Sequence, residues 1–233
     1  MKENLFKEIE IEKKKLIEMS DFIFDNPEYD GNEIKAAEIL TKYLEENGFQ
    51  VERGIADLPT AFRAVYKKGN EGARIGILCE YDALQGLGHG CGHHMQGPSC
   101  VGAAVENIIK DKDFSIVVYG TPGEETFGGK LNMLKAGYFK DIDVALMMHG
   151  APDTCTDIKC LAQSAFTVTY HGKRAHAALM PESGRSAFDA LLLSFQGIEF
   201  MREHVKDDVR MHYTVKELPG PENVVPVRAV GKF

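Results

Sequence analysis

Arg74-Ile-Gly-Ile-Leu-Cys79 is a continuous apolar run that ends on Glu80-Tyr-Asp-Ala-Leu84. A run of that length reads as a strand buried on both faces. Ser115–Tyr119 (SIVVY) and Val144–Met148 (VALMM) repeat the pattern downstream, and Ala61–Tyr66 precedes it. Helical patterns at about 98–110 and 128–137 separate the last three runs. Apolar strands alternating with helices predict an α/β domain, a mainly parallel sheet with helices on both faces.

Upstream, residues 3–25 carry Leu5, Ile9, Ile11, Leu16, Ile17 and Phe22 at roughly helical spacing. Asn26-Pro27 ends that helix, because the residue before a proline is pushed out of helical geometry. A second helix is expected at about 32–47, with Ala36, Ala37, Leu40, Tyr43 and Leu44 inward and Gly48 as the C-terminal stop. The character changes after Pro152. Phe166–Tyr170 alternates like a half-buried strand, a helical pattern runs from about 184 to 204, and Met211–Val215 reads as another strand. The expected organisation is a domain over 1–154 and a smaller α+β domain over 155–233.

Composition narrows the function. At 233 residues the chain can bury a real core, and 44% hydrophobic with 27% charged residues is the globular range. A formal charge of -8 without a basic block argues against nucleic acid. No apolar stretch has the length to span a bilayer, and the charged N-terminus is no signal peptide. Five cysteines form no disulfide scaffold, so reduced thiols in the cytoplasm are expected.

Four polar motifs stand at or beyond predicted strand ends: Glu80-Tyr-Asp-Ala-Leu84, Gly88-His-Gly-Cys-Gly-His-His94, Gly120-Thr-Pro-Gly-Glu-Glu125 and His149-Gly150. Open α/β sheets place their ligand sites at such ends. Cys91, His93, Glu125 and His149 supply thiolate, imidazole and carboxylate, the donors that zinc-type metals take. Glu124 and Glu125, if extended, point to opposite sides, so one could bind metal while the other acts as general base on a metal-activated water. Taken singly these residues have plainer readings: Cys91 as a small buried residue, His149 as a core histidine, the glutamates as a solvated pair. His89 and His94 read as loop residues or outer supports of the site. No dinucleotide fingerprint, P-loop or nucleophile elbow is present.

The set EYDAL, GHGCGHH, GTPGEE and MMHG, followed by YHGKRAHAALMPESGRSAFDA and PGPENVVP, resembles the dinuclear metal-dependent aminoacylase and carboxypeptidase superfamily. The cysteine in Gly-Cys-Gly-His is similar to the branch of indole-acetyl-amino-acid hydrolases, aminobenzoyl-glutamate hydrolases and Xaa-Arg-type dipeptidases. The resemblance covers nearly the whole chain and implies a zinc-peptidase-like fold with a lid domain. It implies Cys91, His93, Glu125 and His149 as ligands of two divalent metal ions, zinc first and manganese or cobalt next. It implies Glu124 as general base and Asp82 as a residue orienting a ligand imidazole. His176 and Asn223 match lid residues that meet the substrate, His176 polarising its carbonyl across a homodimer interface; plainer readings are a helix cap and a turn residue. The implied activity is hydrolysis of the amide of a small N-acyl amino acid or dipeptide.

Family members continue beyond the lid and there supply a further histidine, whereas this sequence stops at Phe233, and His94 stands where related enzymes more often carry Asp or Asn. The chain therefore reads as an N-terminal portion, with both domains incomplete at the C-terminus. The alternative function is an inactive relative that binds metal partially or acts only through dimer association.

Overall fold

Helix α1 (Lys2–Asp25) keeps Leu16, Met19 and Ile23 against the core, while Ile11, Ile17 and Phe22 are exposed. The buried positions follow one helical stripe, and the exposed ones fall off it. Asn26 Nδ2 donates to the Phe22 carbonyl at 2.9 Å and closes the helix just before Pro27. Helix α2 (Ile34–Glu46) buries Ala36, Leu40, Tyr43 and Leu44. Its free N-terminal amides at Lys35 and Ala36 donate to the Glu28 carboxylate at 2.8 and 3.1 Å. Gly48, at φ +85°, turns the chain out of the helix.

The computed structural model describes residues 2–105, 113–156, 158, 160–217 and 220–233, and divides into two units, Met1–Thr154 and Cys155–Phe233. In the first, strands β1 (Gln50–Arg53), β2 (Phe62–Lys68), β3 (Arg74–Cys79), β4 (Phe114–Gly120) and β5 (Val144–Met147) form one sheet in the order β1-β2-β4-β3-β5. The chain crosses from β3 to β4 through α3 (His93–Val105), and α4 (Gly129–Lys135) lies between β4 and β5. These crossovers make β3 parallel to both β4 and β5. The pairings β1–β2 and β2–β4 are antiparallel, so the sheet is mixed and its parallel part is the trio that carries the polar motifs. Strand β1 carried no apolar run for the sequence to announce: its burial is exposed or partial throughout. The expected helix at 98–110 begins earlier, at His93, and its last five positions, 106–110, lie outside the described residues.

Both faces are covered at β2, β3 and β4, whereas β5, expected from its apolar run to be buried on both faces, is exposed along its length. Phe114, Ile116 and Val118 of β4 pack with α1, α2 and α3, while Val117 and Tyr119, on alternate positions, pack with Met133 of α4 and Ile142. Gly102 lets α3 approach α1 closely, since a Cβ there would lie 2.7 Å from Leu16. Cys79 pairs with Gly120 and Leu78 with Met147, so the three parallel strands release the chain side by side at one edge.

In the second unit, β6 (Thr167–His171), β7 (Thr214–Glu217) and β8 (Arg228–Lys232) form an antiparallel sheet in the order β6-β8-β7. Helix α5 (Ala187–Met201) packs Ala187, Leu191 and Phe195 with Ala229 of β8. The Ser186 hydroxyl accepts the Asp189 amide at 3.0 Å and starts the helix. The helix is shorter than its 184–204 pattern, and β7 begins three residues later than Met211. Among the described residues no helix is long and apolar enough to cross a membrane.

Candidate metal centre

Each motif leaves its strand end in a locally determined turn. After β3, Glu80 and Asp82 are both buried. The loop at 88–92 folds through Gly92 at φ +84°, whose carbonyl accepts the Met95 amide at 3.0 Å as α3 opens on His93. After β4, the Gly123 carbonyl accepts the amides of Thr126, Phe127 and Gly128 at 3.3, 3.1 and 2.9 Å. Gly123 has φ +60°, and a Cβ there would lie 2.1 Å from the Phe127 ring, so the turn fits only glycine.

That turn corrects one expectation. Glu124 and Glu125 stand in a turn, not an extended segment, and do not diverge. One carboxylate oxygen from each lies within 4.8 Å of a His93 ring nitrogen. A second trio, Cys91, His93 and His149, converges within the same distance. Cys91 Sγ is 3.8 Å from His149 Nε2, and His93 Nε2 is 3.3 Å from His149 Nε2.

Asp82 links the two groups. His93 Nδ1 donates to the Asp82 carbonyl and to Oδ1, both at 3.0 Å, while Asp82 Oδ2 accepts the Glu125 amide at 2.9 Å. One carboxylate thus fixes an imidazole and the turn that bears the glutamates. His149 Nδ1 donates to the Gly150 carbonyl at 2.8 Å. Carbonyl oxygens only accept, so both imidazoles carry their hydrogen on Nδ1 and present a lone pair at Nε2.

The electrostatics follow from burial and crowding. Burial, a hydrogen bond to Glu125 and nearby carboxylate charge push the Cys91 thiol up to about 12. Burial opposes protonation of His93, but the Asp82 hydrogen bond and the charges of Asp82 and Glu125 outweigh it and raise its pKa. Burial and the Glu125 charge raise Glu124 above the ordinary carboxylate value. A buried site that disfavours the charged form of Glu124 is one that a cation would stabilise.

The residues fit a divalent metal on the chemistry of the donor set: thiol, two imidazoles and carboxylate. Glu125 Oε1 is buried without a hydrogen-bond partner among the described residues, as an oxygen reserved for such an ion would be. Sequence pattern alone did not single out Glu80. Its side chain is 1% exposed, Oε2 lies 3.3 Å from His93 Nε2, and Oε1 pairs with Lys130 of α4. Burial pushes the Lys130 ammonium down to about 8, and the adjacent Glu80 carboxylate favours its charged form.

His89 and His94 lie in a separate aromatic group with Phe24, whose ring centroid is 4.9 Å from that of His94. Burial, with the His94 charge second, lowers His89 to about 4. In the second unit, the chain at His176 pairs with Val224, and the Ala177 amide donates to the Asn223 carbonyl at 3.0 Å. His176 and Asn223 therefore come together on an exposed ladder. His176 Nδ1 accepts the Ala178 amide at 3.2 Å, leaving Nε2 as the free donor.

The fold thus sets metal-type donors at the ends of parallel strands. Known proteins resemble the chain in sequence and in fold. The chain is 35% identical to a p-aminobenzoyl-glutamate hydrolase subunit of Escherichia coli, over 95% of its own length and 50% of the relative's. It is 36% identical to the Xaa-Arg dipeptidase of Mus musculus, over 72% of the chain and 42% of that protein. The fold matches an aminohydrolase of methicillin-resistant Staphylococcus aureus with a TM-score of 0.69, at 19% identity, covering 100% of this chain and 66% of that one. It also matches the Bacillus subtilis YXEP protein, a dinuclear metal binding peptidase from the M20 family, with a TM-score of 0.60 at 20% identity, covering 94% and 62%. No protein-family model matches the chain. The chain is also similar, over part of their length, to the human Xaa-Arg dipeptidase, at 32% identity over 89% of the chain and 52% of that protein. It spans about half the length of the Escherichia coli and mouse relatives.

Proposed function

We propose that the chain belongs to a metal-dependent amidohydrolase that cleaves the amide bond of a small N-acyl amino acid or dipeptide. The observation that carries this reading is the convergence of Cys91, His93, His149, Glu124 and Glu125 at the ends of three strands. Cys91, His93, Glu125 and His149 would hold two divalent ions, zinc first. When bound, such ions polarise a carbonyl and make water nucleophilic near neutral pH.

The chain's own residues supply the rest. Asp82 holds His93 in the Nδ1–H tautomer and pins the Glu125 turn. Glu124, with its pKa raised by burial and by Glu125, takes the proton of the attacking water on a carboxylate oxygen. It then delivers that proton to the departing amine nitrogen. His176, with Nε2–H free, donates to the substrate carbonyl oxygen, and Asn223 beside it helps hold the substrate. In this reading the second unit is a lid that serves a homodimer, and the protein works in the cytoplasm.

The test is metal content per chain, by elemental analysis of protein purified without added zinc, together with hydrolysis of a panel of N-acyl amino acids and dipeptides. Near two metals with turnover supports the reading. Absence of both metal and turnover in the unaltered protein would overturn it.

A further inference from the structure

The metal reading leaves one buried charge without a task. Glu80 sits immediately after β3 with its side chain 1% exposed, and Oε2 has no hydrogen-bond partner among the described residues. A buried carboxylate oxygen left in that state costs several kcal/mol, so it calls for a physical reason.

Its surroundings supply one. Oε2 lies 3.3 Å from His93 Nε2 and 4.0 Å from His149 Nε2, and those two nitrogens are 3.3 Å apart. With both rings neutral and their hydrogens at Nδ1, both nitrogens present lone pairs. Three acceptors then face one another with no hydrogen between them. That arrangement is repulsive unless a proton or a metal cation lies among them. Two of the three spacings also suit a metal: atoms bound at about 2.0–2.1 Å around a tetrahedral zinc lie about 3.3–3.4 Å from each other, and the third, at 4.0 Å, is wider.

The other oxygen of Glu80 is taken by Lys130, which reaches across from α4. An ammonium on Oε1 fixes the carboxylate plane and leaves Oε2 as the oxygen free to donate. The ion pair with Lys130 explains Oε1 but not Oε2, which faces the two histidines instead.

We propose that Glu80 is itself a ligand of the metal centre, giving Oε2 to the ion held by His93 and His149, and that Lys130 is the residue that positions it. This rests on the metal reading above and adds a carboxylate donor to it.

Glu80→Gln tests the claim with little change of shape. The amide can still accept from Lys130 through its oxygen, but it places an NH2 group, without a lone pair, toward the histidines. The measurements are zinc affinity by competition with a chromophoric chelator and the visible spectrum of the cobalt-loaded protein, neither of which depends on turnover. The expected result is at least a tenfold weaker affinity with an altered cobalt spectrum. Lys130→Met, which keeps the carboxylate, is expected to keep the metal stoichiometry and lose less affinity than Glu80→Gln. Wild-type affinity and spectrum in Glu80→Gln would overturn the assignment while leaving the metal reading intact. Wild-type protein that binds no metal would overturn both. Should the glutamine variant fail to fold, crystals of the zinc-loaded wild-type protein decide: Glu80 Oε2 at about 2.0–2.2 Å from zinc supports the proposal, and an oxygen beyond bonding distance rejects it.

Discussion

The two units hold their polar residues in opposite ways. In the first, Asp82, His93 and Glu80 are buried, and side chains hold side chains: Asp82 grips His93 and the Glu125 amide, and Lys130 grips Glu80. In the second, His176 and Asn223 are exposed, and main-chain amides hold them: the ladder at Val224, the Ala177 amide on the Asn223 carbonyl and the Ala178 amide on His176 Nδ1. A buried polar cluster is costly wherever a member is left unsatisfied, so it is intolerant of change. An exposed ladder leaves its side chains free to meet a ligand. That difference suits a fixed metal centre in one unit and an adaptable substrate contact in the other.

The comparison can be broken most sharply at Glu124. Replacing it with Gln is expected to lower kcat by about 10²–10⁴-fold while metal content, read by elemental analysis, stays at the wild-type level. Metal loss together with activity would instead make Glu124 a ligand. Next in size is Leu191→Ala, which empties a fully buried site in the second unit. It is expected to cost about 2–5 kcal/mol of that unit's stability in denaturant melts, with zinc affinity unchanged. A matched fall in zinc affinity would show that the two units are not independent.

Asp82→Asn probes the buried network itself. It is expected to weaken metal binding about 10–100-fold, the usual cost of losing the partner that orients a ligand imidazole. Competition with a chelator measures this, and unchanged affinity would mean that His93 is held without Asp82. The smallest effect is expected at Ser186→Ala, where α5 loses the oxygen that accepts the Asp189 amide. The melt of the second unit should shift by about 1 kcal/mol, and the metal centre should not respond.

The legible parts of the fold were those written in local pattern. Arg74–Cys79 is a strand at the bounds its apolar run gives, and α2 buries Ala36, Leu40, Tyr43 and Leu44 as their spacing predicts. Strands β1 and β8 were not legible. β1 is a largely exposed edge, and β8 is a run of five residues with glycine inside it. In α1, spacing named Leu16 together with Ile11, Ile17 and Phe22; Leu16 packs on the core with Met19 and Ile23, and the other three are exposed. An exposed isoleucine and a buried one look alike in sequence.

At the candidate centre, the donor types were legible because metal ligands and bases come from a short menu of side chains. Glu80 shared a motif with Asp82 and stood two residues away, a spacing that sets both toward one side of an extended segment. Half of the meaning of that spacing lies in Lys130, 50 residues further on, which no local pattern connects to Glu80. The divergence expected of Glu124 and Glu125 failed for a related reason: the positive φ of Gly123 sets their direction, and Phe127 leaves no room for another residue there.

By itself, the sequence determined which residues could bind metal or move a proton, and that apolar strands would end where those residues stand. Only the tertiary structure decided which of them meet. The parallel register of β3, β4 and β5 brings three distant loops to one edge. Burial there brings the Nε2 atoms of two imidazoles and a carboxylate oxygen together, a condition that no linear pattern of residues encodes.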